Sequence, residues 1–163
     1  MNSATSDYSG RTVDLLLLKT ILEVPAYGQR MGLDVSNVSG EPMAVTGVEK
    51  MVQRYALCFI NSIGSTKFMP DHGTEIVDDV KSGRVYSMAT LETAAAMANM
   101  SALDQVRAAD LEEDTPDDER LVDAVVTGLE FSRRSSKVRI SVTLTSAAGY
   151  SYEYVIPVAV GVR

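Results

Sequence analysis

The stretch KVRISVTLTSAAGYSYEYVIPV, residues 137 to 158, decides the fold class of this chain. Its first half carries an apolar residue at every second position, the period of a strand with one buried face: Val138, Ile140, Val142 and Leu144. Its second half alternates aromatic residues with small or charged ones: Tyr150, Tyr152 and Tyr154. Between the two halves, Gly149 can adopt the backbone angles that a tight turn requires. The stretch therefore predicts a C-terminal β-hairpin.

A third strand and two helices are predicted upstream of this hairpin. LVDAVVTGLEF, residues 121 to 131, is rich in β-branched residues and predicts a strand. TGVEKMVQRYALCFINSI, residues 46 to 63, has apolar residues at three- and four-residue intervals and predicts a helix. Thr46 and Glu49 have the spacing of a capping box at its start, and Gly64 is placed for a left-handed C-cap.

Residues 91 to 110, LETAAAMANMSALDQVRAAD, predict the second long helix. Leu91, Ala95, Ala98, Ala102 and Val106 would form its buried face. The methionines at 88, 97 and 100 could line an adaptable binding groove, but we interpret them as flexible core filling. Helices followed by an antiparallel meander indicate an α+β fold, with two main helices packed on a small antiparallel or mixed sheet that ends in a hairpin.

Composition limits the domain organisation and the classes of partner. The 163 residues are enough for one core domain, predicted at 44–163, preceded by an irregular extension at 1–43. Within that extension, TVDLLLLK is the one spare run long enough to pair with the sheet. A net charge of −7 argues against nucleic acid as a partner. The N-terminal apolar run is too short for a signal peptide or membrane span, so we expect assembly in a reducing cytoplasm.

The segment GSTKFMPDHGTEIVDD, residues 64 to 79, contains the one histidine of the chain, His72. A metal site or a Ser/His/Asp triad centred on it would need ligands or a nucleophile elbow that the sequence does not offer. PDHGT instead suits a backbone turn. Pro70 fixes φ, Asp71 can accept local amides, Gly73 can take positive φ, and Thr74 can cap a helix beginning at EIVDDV.

Other candidate chemistry is weaker. The run DLEEDTPDDER, residues 110 to 120, could supply the two carboxylates of a glycosidase, but an acidic run beside proline favours a solvated loop. The chain has no tryptophan for a sugar-binding platform. Cys58 lies in an apolar run, which favours a buried thiol over a reactive one. We therefore expect no catalytic residues, no metal and no cofactor.

Residues 44 to 158 resemble the small baseplate wedge proteins of contractile phage tails, also called sheath initiators or, by an older label, the lysozyme-like baseplate family. The resemblance is carried by Gln53 and Arg54 in the first helix, by PDHGT, and by DDER before the sheet. The family's Glu-Pro-Arg motif is altered here, because the proline lies earlier, at 116. Arg120 matches the motif's arginine, and its partnering acid would be Asp118 or Glu119.

The resemblance implies a structural protein of the virion, located in the tail baseplate and present in several copies. Its implied partners are the sheath protein, other wedge and hub proteins and the tail tube. It also implies strand addition to an exposed sheet edge, with Tyr150, Tyr152 and Tyr154 setting the register. We further predict that Arg54 or Arg120 pairs with acids of DDE in a partly buried cluster. There are two alternative functions. The first is a subunit of a type VI secretion baseplate, and the second, which the sequence favours less, is a peptidoglycan glycosidase.

Overall fold

A computed structural model describes residues 14–15, 44–132 and 137–159. In chain order its elements are β1 (Asp14–Leu15), β2 (Ala44–Val45), α1 (Val48–Ile60), α2 (Ile76–Lys81), α3 (Met88–Glu112), β3 (Leu121–Ser132), β4 (Lys137–Ser146) and β5 (Ser151–Ala159). The helices pack on an antiparallel sheet, so the α+β prediction is confirmed. β1 pairs with β2 in a separate two-stranded ladder. The rest of the predicted N-terminal extension lies outside the described residues.

The main sheet is a meander in which β4 lies between β3 and β5. The predicted hairpin is confirmed, with Val142 opposite Tyr154 and Thr145 opposite Ser151. Gly149 in its turn has φ +84°, in the left-handed region that glycine adopts without strain. The register of β3 against β4 shifts twice, at Leu121/Asp123 and Val126/Gly128. Such bulges bend a strand and re-aim its side chains.

The first predicted helix is confirmed, but its predicted caps are wrong. α1 begins after Gly47, which has φ +65°, and no side chain caps the helix there. The Gly47 amide instead donates to the distant Glu119 carboxylate, which takes the place of a local capping box. The helix ends at Ile60, with Asn61 in an extended conformation. Gly64 has φ +79°, but it lies in the loop beyond the helix end.

α3 confirms the predicted buried face and corrects the prediction for its methionines. The five predicted positions are buried, from Leu91 to Val106. Met88, Met97 and Met100 are 42%, 68% and 65% exposed, so they do not fill the core. Three of the five positions are alanines, whose small side chains let the helix pack closely on α1 and β3. A capping box between Ser87 and Thr90, which was not predicted, starts the helix.

The core lies between the helices and the inner face of the sheet. Its large buried side chains include Tyr55 and Phe59 of α1, Leu91 of α3, and Ile140 and Ile156 of the hairpin. Two successive hydrogen bonds cross this core. The Tyr55 hydroxyl donates to Asn99 Oδ1 at 2.5 Å, and Asn99 Nδ2 donates to the Ala124 carbonyl at 2.8 Å. One side chain of α3 thereby ties α1 to β3. None of the helices in the described ranges has the length and apolar content needed to span a membrane.

Candidate functional site

The PDHGT segment is fastened to α3 through Gly73. The Gly73 amide donates to Gln105 Oε1 at 2.8 Å, and Gln105 Nε2 donates back to the Gly73 carbonyl at 2.9 Å. Gly73 has φ +119°, which confirms the predicted positive φ. A Cβ added at Gly73 would lie 2.4 Å from the Asn61 carbonyl oxygen. Glycine is therefore required here by both backbone angle and space.

Thr74 links the end of α1 to the start of α2. Its hydroxyl donates to the Phe59 carbonyl at 2.5 Å and accepts from the Ile76 amide at 3.4 Å. Its own amide donates to the Asn61 carbonyl at 2.7 Å. The side chain is buried, but the predicted capping role is wrong, because Glu75 is the N-cap of α2 and no side chain caps that helix. Pro70 and Asp71 are exposed, and the Pro70 carbonyl accepts from the Gly64 amide at 2.7 Å. The motif is thus an architectural turn.

A buried ion pair joins α1 to the loop before β3. Lys50 Nζ lies 3.1 Å from Glu119 Oε2, and the two side chains are only 3% and 1% exposed. Glu119 Oε1 accepts the Gly47 amide at 2.9 Å, so this one carboxylate holds both the start of α1 and its first turn. Asp118 is half-buried, with its carboxylate against Gly47. The acid predicted to dock this loop is therefore Glu119, but its basic partner is Lys50.

A second buried acid, Asp110, organises the other end of the same loop. Arg54 Nη1 lies 2.7 Å from Asp110 Oδ1, with the Arg54 side chain 15% exposed. Asp110 Oδ2 accepts the amide of Leu121, the first residue of β3, at 2.8 Å. Arg54 also reaches Glu113, at 3.5 Å. The predicted partly buried cluster at Arg54 exists, but its acids are Asp110 and Glu113 and not those of DDE.

Arg120 does not have the buried position predicted for it. Its side chain is 43% exposed and pairs with Asp117, which is 68% exposed. The amides of Glu119 and Arg120 both donate to the Pro116 carbonyl, so this segment is a tight turn. In this turn Glu119 faces α1, and Arg120 lies at the surface. The solvated-loop prediction is accordingly wrong for Glu119, although Glu112, Glu113 and Asp114 are exposed as predicted.

Sequence reasoning missed Lys50, Gln105 and Asp110. Lys50 occurs among polar and apolar residues of α1 with no signal that its ammonium is 3% exposed. Gln53, which the sequence did single out, is also buried. Asp110 lies four residues after Val106, and Gln105 lies three residues after Ala102. This helical spacing gave a usable hint that both lie close to the buried face of α3.

Burial affects two ionisable side chains of α1, Cys58 and Tyr55. Cys58 is buried, as predicted, and burial raises the pKa of its thiol to about 11, so it is protonated at neutral pH. Its Sγ contacts Gln105 Oε1 at 3.3 Å. Burial likewise raises the pKa of Tyr55. Within the ranges that the structure describes, no three His, Cys, Asp or Glu side chains gather to hold a metal ion.

The two edges of the main sheet differ in their surroundings. On β3, the carbonyl of Ala124 accepts from Asn99, and that of Val122 accepts from the Arg107 guanidinium. Side chains of α3 thus occupy backbone acceptors in the first half of β3. No segment among the described residues pairs with the outer edge of β5. Within the described structure, both outer edges of the sheet thus lack a strand partner, and α3 side chains occupy part of the β3 edge.

The hairpin register shows which backbone groups of β5 point outward. The Ser146 amide donates to the Tyr150 carbonyl at 2.9 Å, which makes this a hydrogen-bonded pair. Because such pairs alternate along an antiparallel ladder, the N–H and C=O groups of Ser151, Glu153 and Val155 point away from β4. Pro157 occupies the next outward position, where its missing N–H takes no bond from the β4–β5 ladder.

The three tyrosines of the hairpin are not equally accessible. Tyr150 and Tyr152 are 57% and 49% exposed, whereas Tyr154 is partly buried against the core. Tyr152 and Tyr154 share the face of β5 that continues into buried Ile156. Ser151 and Glu153 lie on the opposite face, and both are exposed. The side chains of Tyr150 and Tyr152 therefore form an exposed aromatic surface at the start of β5.

Comparison with known proteins finds similarity at the level of structure and none at the level of sequence families. No family model and no curated protein matches this chain. Among solved structures, it is similar to a candidate tail lysozyme from Geobacter sulfurreducens, with 17% sequence identity and a TM-score of 0.46. The match covers 74% of this chain and 97% of that one. Similarity at this level does not define a family or an activity.

Proposed function

We propose that this protein is a structural subunit of a contractile phage tail baseplate. In this role it links the wedge to the tail tube and starts sheath assembly by accepting a strand from a sheath subunit. The proposal is supported by the sequence resemblance over residues 44 to 158. The structural observation that carries it is the outer edge of β5, which no described segment covers.

Strand addition suits this edge for a geometric reason. Ser151, Glu153 and Val155 present their N–H and C=O groups in one direction, and an incoming extended segment can pair with each of them. Each such backbone bond contributes about 0.5–1.5 kcal/mol net, so the affinity comes from several bonds together. Pro157 ends the run of outward donors. The docking segment is therefore short and has a defined end.

The opposite edge is a poorer acceptor. An added strand on β3 would have to displace Asn99 and Arg107 from the carbonyls of Ala124 and Val122. Asn99 also accepts from the buried Tyr55 hydroxyl, so its displacement would disturb the packing of α1 against α3. A strand docked on the first half of β3 thus requires a change in the core, whereas one docked on β5 requires none.

We expect a proline at Glu153 to prevent sheath assembly without unfolding the protein. Glu153→Pro removes an outward N–H and places the ring where an added strand would lie, but it leaves the β4–β5 hydrogen bonds in place. Glu153→Ala is the matched control, since it removes the side chain and retains the N–H. Baseplates carrying each variant would be mixed with sheath protein, and sheath length would be scored by electron microscopy.

The expected result is normal sheath on Glu153→Ala baseplates and at least a tenfold loss of sheathed tails with Glu153→Pro. Circular dichroism establishes that both variants are folded. Ser151→Pro, which also removes an outward N–H, should behave like Glu153→Pro. Normal sheath assembly on both proline variants would show that the β5 edge is not the docking site.

We also propose that the protein has no enzymatic activity. The acids Glu112, Glu113 and Asp114 are all exposed to solvent, whereas the general acid of a glycosidase lies against apolar side chains. Purified protein should release no soluble fragments from peptidoglycan above the level of a heat-inactivated sample. Hydrolysis that disappears when these three acids are changed together to their amides would contradict the structural role.

A further inference from the structure

The outward face of α3 carries an apolar stripe that the core does not use. Met97, Met100 and Leu111 are 68%, 65% and 82% exposed, and Asp104 and Arg107 between them are also exposed. At about 100° per residue, these five positions fall within roughly 80° of helix circumference. They lie opposite the buried stripe that includes Ala98, Ala102 and Val106. Several exposed apolar side chains on one face of a helix are typical of an interaction surface.

The stripe has a palindromic order. Met100, Asp104, Arg107 and Leu111 are spaced by four, three and four residues, and they read apolar, acidic, basic, apolar. When a second copy of α3 is laid antiparallel with its centre between residues 105 and 106, Met100 faces Leu111 and Asp104 faces Arg107. A two-fold axis repeats each contact. The overlap covers residues 99 to 112, about four helical turns.

We propose that this face binds a second copy of the same chain, giving a two-fold symmetric dimer through antiparallel α3 helices. Charge complementarity selects this occupant, because the acid and base of one copy meet the base and acid of the other. Non-specific self-association is opposed by the net charge of −7 on each chain. The proposal does not depend on the β5 edge, which lies on another element.

Arg107 is held in place for this contact. Its guanidinium donates to the Val122 carbonyl of β3, which fixes one side of the group. A guanidinium has five N–H donors, so Arg107 can hold this carbonyl and also bind a carboxylate of the second copy. A single pair of short helix segments buries less than a standard interface of about 1,600 Å². The dimer is therefore expected to dissociate in the micromolar range.

Complementary charge reversal tests both the dimer and its register. Wild-type protein should show a concentration-dependent monomer–dimer equilibrium in analytical ultracentrifugation at physiological salt. Asp104→Arg alone and Arg107→Asp alone should each weaken association at least tenfold, since like charges then face each other. An equimolar mixture of the two variants should form heterodimers with near wild-type affinity, because every reversed charge then meets an opposite one.

Glu92→Arg is the matched control, since it reverses an exposed acid on the same helix outside the stripe, and it should leave the equilibrium unchanged. If Arg107→Asp does not fold, register can be tested by cross-linking. A short bifunctional thiol reagent should join copies of Met100→Cys/Leu111→Cys, but not copies of Met97→Cys alone. The proposal is overturned if wild-type protein is monomeric up to about 1 mM, if the variant mixture fails to associate, or if the cross-linking pattern is reversed.

Discussion

Replacing Glu119 by glutamine is expected to lower the free energy of unfolding by about 3–5 kcal/mol. The substitution keeps the shape and an acceptor for the Gly47 amide, but it removes the negative charge beside the Lys50 ammonium. Lys50 is 3% exposed, so its charge would remain in the interior after the loss of the Glu119 carboxylate. Urea denaturation followed by circular dichroism would measure the loss.

The matched control is Asp117→Asn, two positions before Glu119. It breaks the exposed ion pair between Asp117 and Arg120. Surface ion pairs contribute about 0–1 kcal/mol, so this variant should be close to wild type. Adding Lys50→Met to Glu119→Gln removes the buried ammonium and should restore part of the lost stability. Equal, small losses for Glu119→Gln and Asp117→Asn would show that the Lys50–Glu119 pair is not a buried charge pair.

The second large effect is expected at Gly73. Gly73→Ala should cost about 3 kcal/mol or more, because two penalties add. The backbone at φ +119° is strained for any residue with a Cβ, and the new methyl would lie 2.4 Å from the Asn61 carbonyl oxygen. The neighbouring atom is backbone and cannot rotate away. Relief would require PDHGT to move from Gln105, which binds both polar groups of Gly73.

Gly64→Ala separates the two penalties. Gly64 also has positive φ, at +79°, but a Cβ there meets no atom within 4 Å. This variant should therefore lose only the backbone term, about 1 kcal/mol. The difference between the two alanine variants in chemical denaturation measures the close approach of Gly73 to Asn61. A cost for Gly73→Ala no larger than that for Gly64→Ala would show that the loop relaxes freely.

The elements of the fold were predictable because their signals are local. The alternation in residues 137 to 158 and the apolar spacing of Leu91 to Val106 each require only neighbours in sequence, and both were confirmed. The same holds for the turn at Gly149 and the positive φ of Gly73, where residue chemistry restricts the backbone directly. Helix ends were less predictable, since Gly47 is capped by Glu119, 72 positions away.

The identity of the buried charges depended on tertiary structure. DLEEDTPDDER reads as a uniform acidic run, yet Asp110 and Glu119 are buried in it while Glu112, Glu113, Asp114 and Asp117 are exposed. Which acid turns inward depends on the turn at Pro116 and on the position of α1 beside it. Neither the turn nor the position of α1 can be derived from the spacing of the acids. For that reason Glu119 was predicted to pair with Arg120, whereas it pairs with Lys50.

Three features followed from the sequence alone: the α+β class with its C-terminal hairpin, the architectural PDHGT turn and the buried thiol of Cys58. Three others became known only from the folded chain: the α3 methionines face solvent, Lys50 and Gln105 hold the loops, and α3 covers part of the β3 edge. The difference lies in the range of the interactions. Periodicity and backbone restriction act between neighbours, whereas the burial of a charge or of a sheet edge depends on which distant elements meet.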